Sequence, residues 1–177
     1  MTATPLFPEL EFAAKPRRSP RLPACPVYRV EEYKVEALRE TFISESDMDT
    51  PACIHRFYLE TITTDPRHNP EVECMYVLLL NTRRKLRGYH LVSIGTLNTV
   101  LTHPREIFRP AIIASASAIV LLHNHPSGDP SPSDADIRVT RDLIRAGQLL
   151  RLDLLDHVVT THLPGKFCSL RELGHFY

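Results

Sequence analysis

The stretch Leu122-His-Asn-His-Pro-Ser-Gly-Asp-Pro-Ser-Pro-Ser-Asp-Ala-Asp136 constrains the fold more than any other part of this chain. It packs His123, His125, Ser133 and three aspartates into fifteen residues. Before it stands an apolar run, Ala118-Ile-Val-Leu-Leu122, that reads as a buried strand. After it, Asp134 to Leu150 reads as an amphipathic helix. A chain that passes from a buried strand through a polar cluster into a helix reads as α/β, with its chemistry at the carboxyl end of the strand.

The spacing within the cluster favours one metal ion. Side chains two apart on a strand point to the same face, so the imidazoles of His123 and His125 face one way. The next segment contains Pro126, Gly128, Pro130 and Pro132 and has to turn, which brings Ser133 and Asp136 back towards the strand end. Two imidazoles and one carboxylate make three protein ligands, the usual count for a catalytic zinc site whose fourth position is open to water. Water held there is acidified to a pKa of roughly 7. A competing reading needs no metal: Ser133-Asp-Ala-Asp136 is a Ser-Xaa-Xaa-acid pattern, with Ser133 as helix N-cap and Asp136 at N3, near the positive helix end. Asp136 cannot spend the same oxygen on both.

The rest of the chain supplies a frame. Thr50-Pro51 reads as an N-cap followed by proline at the first helical position, with Ile54, Phe57, Tyr58 and Ile62 as an apolar stripe and the helix ending near Thr61. Cys74-Met-Tyr-Val-Leu-Leu-Leu80 is a central strand, Asn81 to Lys85 a turn, and Leu86 to Ser93 the second arm of a hairpin. A helix from about Arg105 to Ala114 follows, then the strand entering the cluster, the helix leaving it, and strands at Asp153 to Thr160 and Phe167 to Ser169. This order predicts an α/β chain of the α+β type, a mixed sheet packed between helices rather than a doubly wound parallel sheet. Three regions follow: a proline-rich basic tail over residues 1–26, an N-terminal extension over 27–70 holding the helix near 51–61, and a main domain over 71–177.

Equal numbers of acidic and basic residues give zero net charge, which argues against a general electrostatic grip on nucleic acid. Arg83, Arg84, Lys85 and Arg87 at the hairpin tip, and the basic tail, are the local exceptions. The four cysteines are scattered, with no Cys-Xaa-Xaa-Cys pair, and read as free thiols in a reducing compartment. With no apolar segment long enough to span a bilayer and no secretory signal, the expected location is the cytoplasm, away from membranes.

His-Xaa-His, seven residues, then Ser-Xaa-Xaa-Asp resembles the JAMM signature of the JAB/MPN metalloprotease superfamily. The wording His-Asn-His-Pro-Ser-Gly-Asp-Pro-Ser-Pro-Ser resembles its RadC branch, as do Thr102-His-Pro-Arg-Glu-Ile-Phe108, Leu154-Leu-Asp-His157 and Ser169-Leu-Arg-Glu172. The likeness covers roughly residues 50 to 177. It implies the cytidine-deaminase-like architecture and one zinc ion per chain on His123, His125 and Asp136. It also implies hydrolysis of a peptide or isopeptide bond in a protein or peptide substrate. Ser133 resembles the family's oxyanion donor, and because capping uses its oxygen as acceptor, its proton is expected to stay free. The general base of the family is a glutamate at the start of an upstream strand, and of Glu71 and Glu73 the pattern selects Glu73, with Met75 in place of the usual aromatic. Glu106 is a lesser candidate that also suits the first turn of a helix. Asp129 reads as a turn residue, and His157 either as support behind the ligands or as a satisfied strand histidine. The branch's association with DNA repair makes nucleic-acid binding or cleavage the alternative. With no glycine-centred hairpin upstream, the chain resembles the short form that lacks a helix-hairpin-helix segment.

Overall fold

Cys74–Leu80 is buried at every position, and a strand without an exposed face has to lie inside a sheet covered on both sides. That is its place in the computed structural model, which describes residues 48–95 and 103–176. The readings for residues 1–26 and 27–46, and for the segment 96–102, lie outside the described residues.

The strands are β1 (Cys74–Leu80), β2 (Leu86–Ile94), β3 (Ala118–Asn124), β4 (Asp153–Thr160) and β5 (Phe167–Ser169). They form one sheet in the order β2-β1-β3-β4-β5. β1 runs antiparallel to both β2 and β3, β3 and β4 are parallel, and β5 returns antiparallel to β4. The sheet is therefore mixed, as the order of elements predicts. The helices are α1 (Pro51–Glu60), α2 (Pro104–Ile113) and α3 (Asp134–Leu150), with α3 as the crossover between the two parallel strands.

Alternation along β1 and β3 divides the core. Cys74, Tyr76, Leu78 and Leu80, with Val120 and Leu122, pack towards Ile54, Phe57 and Tyr58 of α1. Met75, Val77 and Leu79, with Ile119 and Leu121, pack towards Ile107 and Phe108 of α2 and Leu143 of α3. Met48, Ile54, Phe57, Tyr58 and Ile62 thus share the core with the central strand, although the sequence places them in an extension before the main domain.

Local signals set the element ends. The Thr50 hydroxyl accepts from the Cys53 N–H at 3.3 Å and Pro51 opens α1. The helix stops at Glu60, and Ile62 is buried from a following 3-10 turn rather than from the helix. In the hairpin, the Asn81 side-chain oxygen accepts from the N–H groups of Arg83 and Lys85, and Arg84 takes the left-handed conformation at φ 59°. Arg87 of the basic tip donates to the Ser115 carbonyl at 3.0 Å. At the far end of α3, a Cβ on Gly147 would sit 2.6 Å from the Leu152 carbonyl oxygen, so only glycine allows the chain to fold back there. β3 runs two residues past its expected end at Leu122 and carries His123 and Asn124 within the sheet. Among the described residues no helix is long and apolar enough to cross a membrane.

Candidate metal centre

Strand register assembles one side of the site. Met75 of β1 lies opposite His123 of β3. Because the strands are antiparallel, two further residues along each bring Glu73 opposite His125, and Glu73 Oε1 lies 3.9 Å from His125 Nε2. Glu71 is exposed. Glu106 pairs with Arg105 and Arg109 on α2, at 3.3 and 2.9 Å, in keeping with a first-turn helix residue.

Asn124, between the two histidines, points to the opposite face and is 2 % exposed. Its side-chain oxygen accepts from the Cys74 N–H and its amide donates to the Val72 carbonyl, both at 2.9 Å. One side chain thereby continues the ladder past the end of β1 and pins the backbone on both sides of Glu73. The sequence reading gave it no role. The signal was available: an asparagine on the apolar face of a strand has to find partners when buried.

The turn after β3 orients His125. The Gly128 N–H donates to the His125 carbonyl at 3.1 Å, with Pro126 inside the turn and Gly128 at φ 81°. Asp129 is a turn residue, as expected, accepting from both the N–H and the hydroxyl of Ser131. The Asp129 carbonyl lies 2.8 Å from His125 Nδ1. A carbonyl can only accept, so His125 donates from Nδ1, which leaves Nε2 as the atom facing His123 and Asp136.

The two readings of Asp136 hold together because its oxygens divide. Oδ2 accepts from the Ser133 N–H at 2.8 Å, while the Asp136 N–H donates to Ser133 Oγ at 3.2 Å, which closes a capping box at the start of α3. Oδ1 lies 3.4 Å from His123 Nε2. The Ser133 hydroxyl was expected to keep its proton free. Instead it lies 2.6 Å from Asp136 Oδ2 as donor, because the capping carboxylate is the nearest strong acceptor.

His123 Nε2 and His125 Nε2 are 3.0 Å apart. With Asp136 they form a group whose ligand atoms all lie within 4.8 Å of one another. Nitrogen lone pairs brought that close repel unless a cation or a proton stands between them, so the donor set fits a metal ion. Behind His123, its Nδ1 is 2.8 Å from His157 Nε2, and His157 Nδ1 is 2.6 Å from the Thr140 hydroxyl. Thr140, a buried residue of α3, was not singled out in the sequence.

Electrostatics suit neutral imidazoles beside carboxylates. Burial first, then the neighbouring His157 ring, holds His123 well below the usual histidine range. Burial pushes His157 down to about 4. Burial opposes ionisation of Asp136, but His123 and the Ser133 hydrogen bonds outweigh it and hold the carboxyl below its ordinary value. Glu73 is pushed up, by burial more than by Asp136, with His125 pulling the other way. A carboxyl raised in this way holds a proton more readily than an ordinary glutamate. Glu73, His125, Ser127, Asp129 and Ser133 line the polar cleft that gives access to these groups.

Residues 49–175 match the family model described as the RadC-like JAB domain. Among curated proteins the chain is similar to a UPF0758 protein of Caldanaerobacter subterraneus subsp. tengcongensis, 48% identical over 100 residues, which are 56% of this chain and 42% of that one. A UPF0758 protein of Moorella thermoacetica is 52% identical over 93 residues, 52% of this chain and 40% of the relative. One from Methanosarcina mazei is 36% identical over 137 residues, 76% of this chain and 57% of the relative. The chain spans about half the length of these relatives.

Proposed function

The chain belongs to the RadC-like JAB domain family, and from that premise we propose that it is a zinc-dependent hydrolase cleaving a peptide or isopeptide bond. The observation that carries the reading is the convergence of His123 Nε2, His125 Nε2 and Asp136 Oδ1 beside Glu73. His123, His125 and Asp136 would hold the metal, one ion per chain. Zinc in that position supplies Lewis acidity that makes a water molecule nucleophilic near neutral pH.

The remaining work falls to the chain. Glu73 accepts the proton of the attacking water and returns it to the leaving amine; burial that raises its pKa suits it to both steps. Asn124 keeps Glu73 at the edge of the cleft by fixing the backbone on either side of it. Ser133 donates to the developing oxyanion by turning its proton away from Asp136 Oδ2, at the cost of one short hydrogen bond.

Metal content of the purified protein tests the reading, with the wild type beside a His123→Ala/His125→Ala double variant. About one zinc per chain in the parent and none in the variant is the expected result, and a screen of peptide and isopeptide substrates follows from it. Little metal in either, after zinc has been supplied, overturns the hydrolase reading. DNA affinity that falls steeply with salt, without hydrolysis, would favour the nucleic-acid alternative.

A further inference from the structure

We infer that His157 and Thr140 form a one-way hydrogen-bond relay that sets the tautomer of His123 and ties it to the helix carrying Asp136. They are positioning residues, and the inference rests on the metal-site reading above. Both are fully buried. The relay ends on the Asp136 carbonyl, which accepts from the Thr140 hydroxyl at 2.6 Å.

The direction follows link by link. Two oxygens 2.6 Å apart repel unless a proton lies between them. The carbonyl has none, so the single hydroxyl proton of Thr140 is spent there. Thr140 Oγ1 must then accept from His157 Nδ1, at 2.6 Å. A neutral imidazole carries one proton. With it on Nδ1, His157 Nε2 can only accept, and the donor it meets among the described residues is His123 Nδ1 at 2.8 Å. His123 is left with a lone pair on Nε2, aimed at His125 Nε2 and Asp136 Oδ1.

The arrangement does two things. It prepares the donor atom, since a histidine whose second nitrogen donates a hydrogen bond is both oriented and made more basic as a ligand. It also joins the two halves of the site. His123 stands on β3 and Asp136 on α3, and the path His123–His157–Thr140–Asp136 crosses from one to the other through the buried space between sheet and helix. Having spent both ring nitrogens, His157 is not itself a ligand. It resolves into the support role, and its neighbour Asp156 holds it by accepting from the His157 N–H at 2.7 Å.

The test compares Thr140→Val, which keeps shape and removes the acceptor, with Thr140→Ser, which keeps the hydroxyl. Two readouts are taken: the ring-nitrogen tautomers of His123 and His157 by nitrogen-15 NMR in metal-free protein, and zinc affinity by competition with a chelator. In the wild type and in Thr140→Ser, both rings are expected to carry their proton on Nδ1. In Thr140→Val that preference is lost and zinc binds about 10- to 100-fold more weakly. Unchanged tautomers in Thr140→Val overturn the relay, as does a wild-type His123 protonated on Nε2. Should the wild type take up no zinc, the hydrolase reading fails at that point, while the tautomers of the metal-free protein still decide the relay.

Discussion

Glu73 and His125 face each other across the open end of the β1–β3 ladder, with Oε1 3.9 Å from Nε2. Neither residue chose the other locally. The register that pairs Met75 with His123 delivers them together, so the proposed proton acceptor and the proposed ligand are set by one backbone alignment. Replacing Glu73 by Gln keeps the shape and removes the base. Zinc content is expected to stay at the wild-type level while kcat falls by about 10²- to 10⁴-fold. Full activity of Glu73→Gln on a substrate cut by the parent would remove Glu73 from the mechanism.

Ser133 caps α3 and is the proposed oxyanion donor, and the two roles separate experimentally. Ser133→Ala loses the N-cap acceptor of α3, with an expected cost of about 1 kcal/mol in urea unfolding. It also loses the oxyanion donor, for which a kcat loss of about 10²- to 10³-fold is expected. Ser133→Gly keeps most of the N-cap stability without the donor. Recovered stability with activity still lost is the expected result; recovered activity would reduce Ser133 to a cap.

His55 gives the fold an acid sensitivity of known sign. It is buried, its Nδ1 contacts the Thr160 hydroxyl, and its Nε2 accepts from the Gly165 N–H at 3.2 Å. Burial lowers its pKa, opposed by a backbone hydrogen bond to Leu163. The unfolded chain therefore binds more protons than the folded one below the ordinary histidine value of about 6.5. Stability from this group is fully present above that value and is lost as the pH falls towards the lowered folded value. Urea unfolding at pH 7.5, 6.5 and 5.5 should show a shallower pH slope in His55→Asn, by at most one proton's worth. An identical slope would mean that His55 does not titrate with folding.

Gly147 tests the packing at the other end of α3. Alanine is the better helix former by about 1 kcal/mol, yet its Cβ would lie 2.6 Å from the Leu152 carbonyl oxygen and 3.4 Å from Phe108. The clash is with backbone, so Gly147→Ala is expected to destabilise by about 1–3 kcal/mol. A rise in the thermal midpoint would show that the turn relaxes freely.

The elements were legible because their signals are local. Thr50-Pro51 marks the start of α1, the unbroken apolar run marks β1, and Ser133 to Asp136 marks the start of α3. The group that could hold a metal was legible because strand alternation and a proline-rich turn already aim His123, His125 and Asp136 at one point. What stayed hidden depends on which strands lie side by side. His157 stays open between support and an ordinary strand histidine until β4 pairs in parallel with β3 and sets it diagonally below His123. Thr140 looks like a polar residue on a helix until its hydroxyl meets that ring. Asn124 reads as a spacer until its amide meets the backbone of Cys74 and Val72 at the start of β1. The proton of Ser133 was misplaced for a related reason: sequence shows that a cap and a ligand coincide, but not how a carboxylate shares out its two oxygens.

The two halves of the centre sit on elements of unequal mechanical character. His123 belongs to a central strand fenced by neighbours on both sides, and His125 follows directly with its N–H bonded to the Thr160 carbonyl, whereas Asp136 lies in the first turn of a helix, where fraying starts. Opening that turn withdraws one ligand and leaves the other two in place. The expectation is that an ion held there leaves through breathing at the tip of α3, and slow amide exchange in residues 134–137 would be the mark of a loaded site.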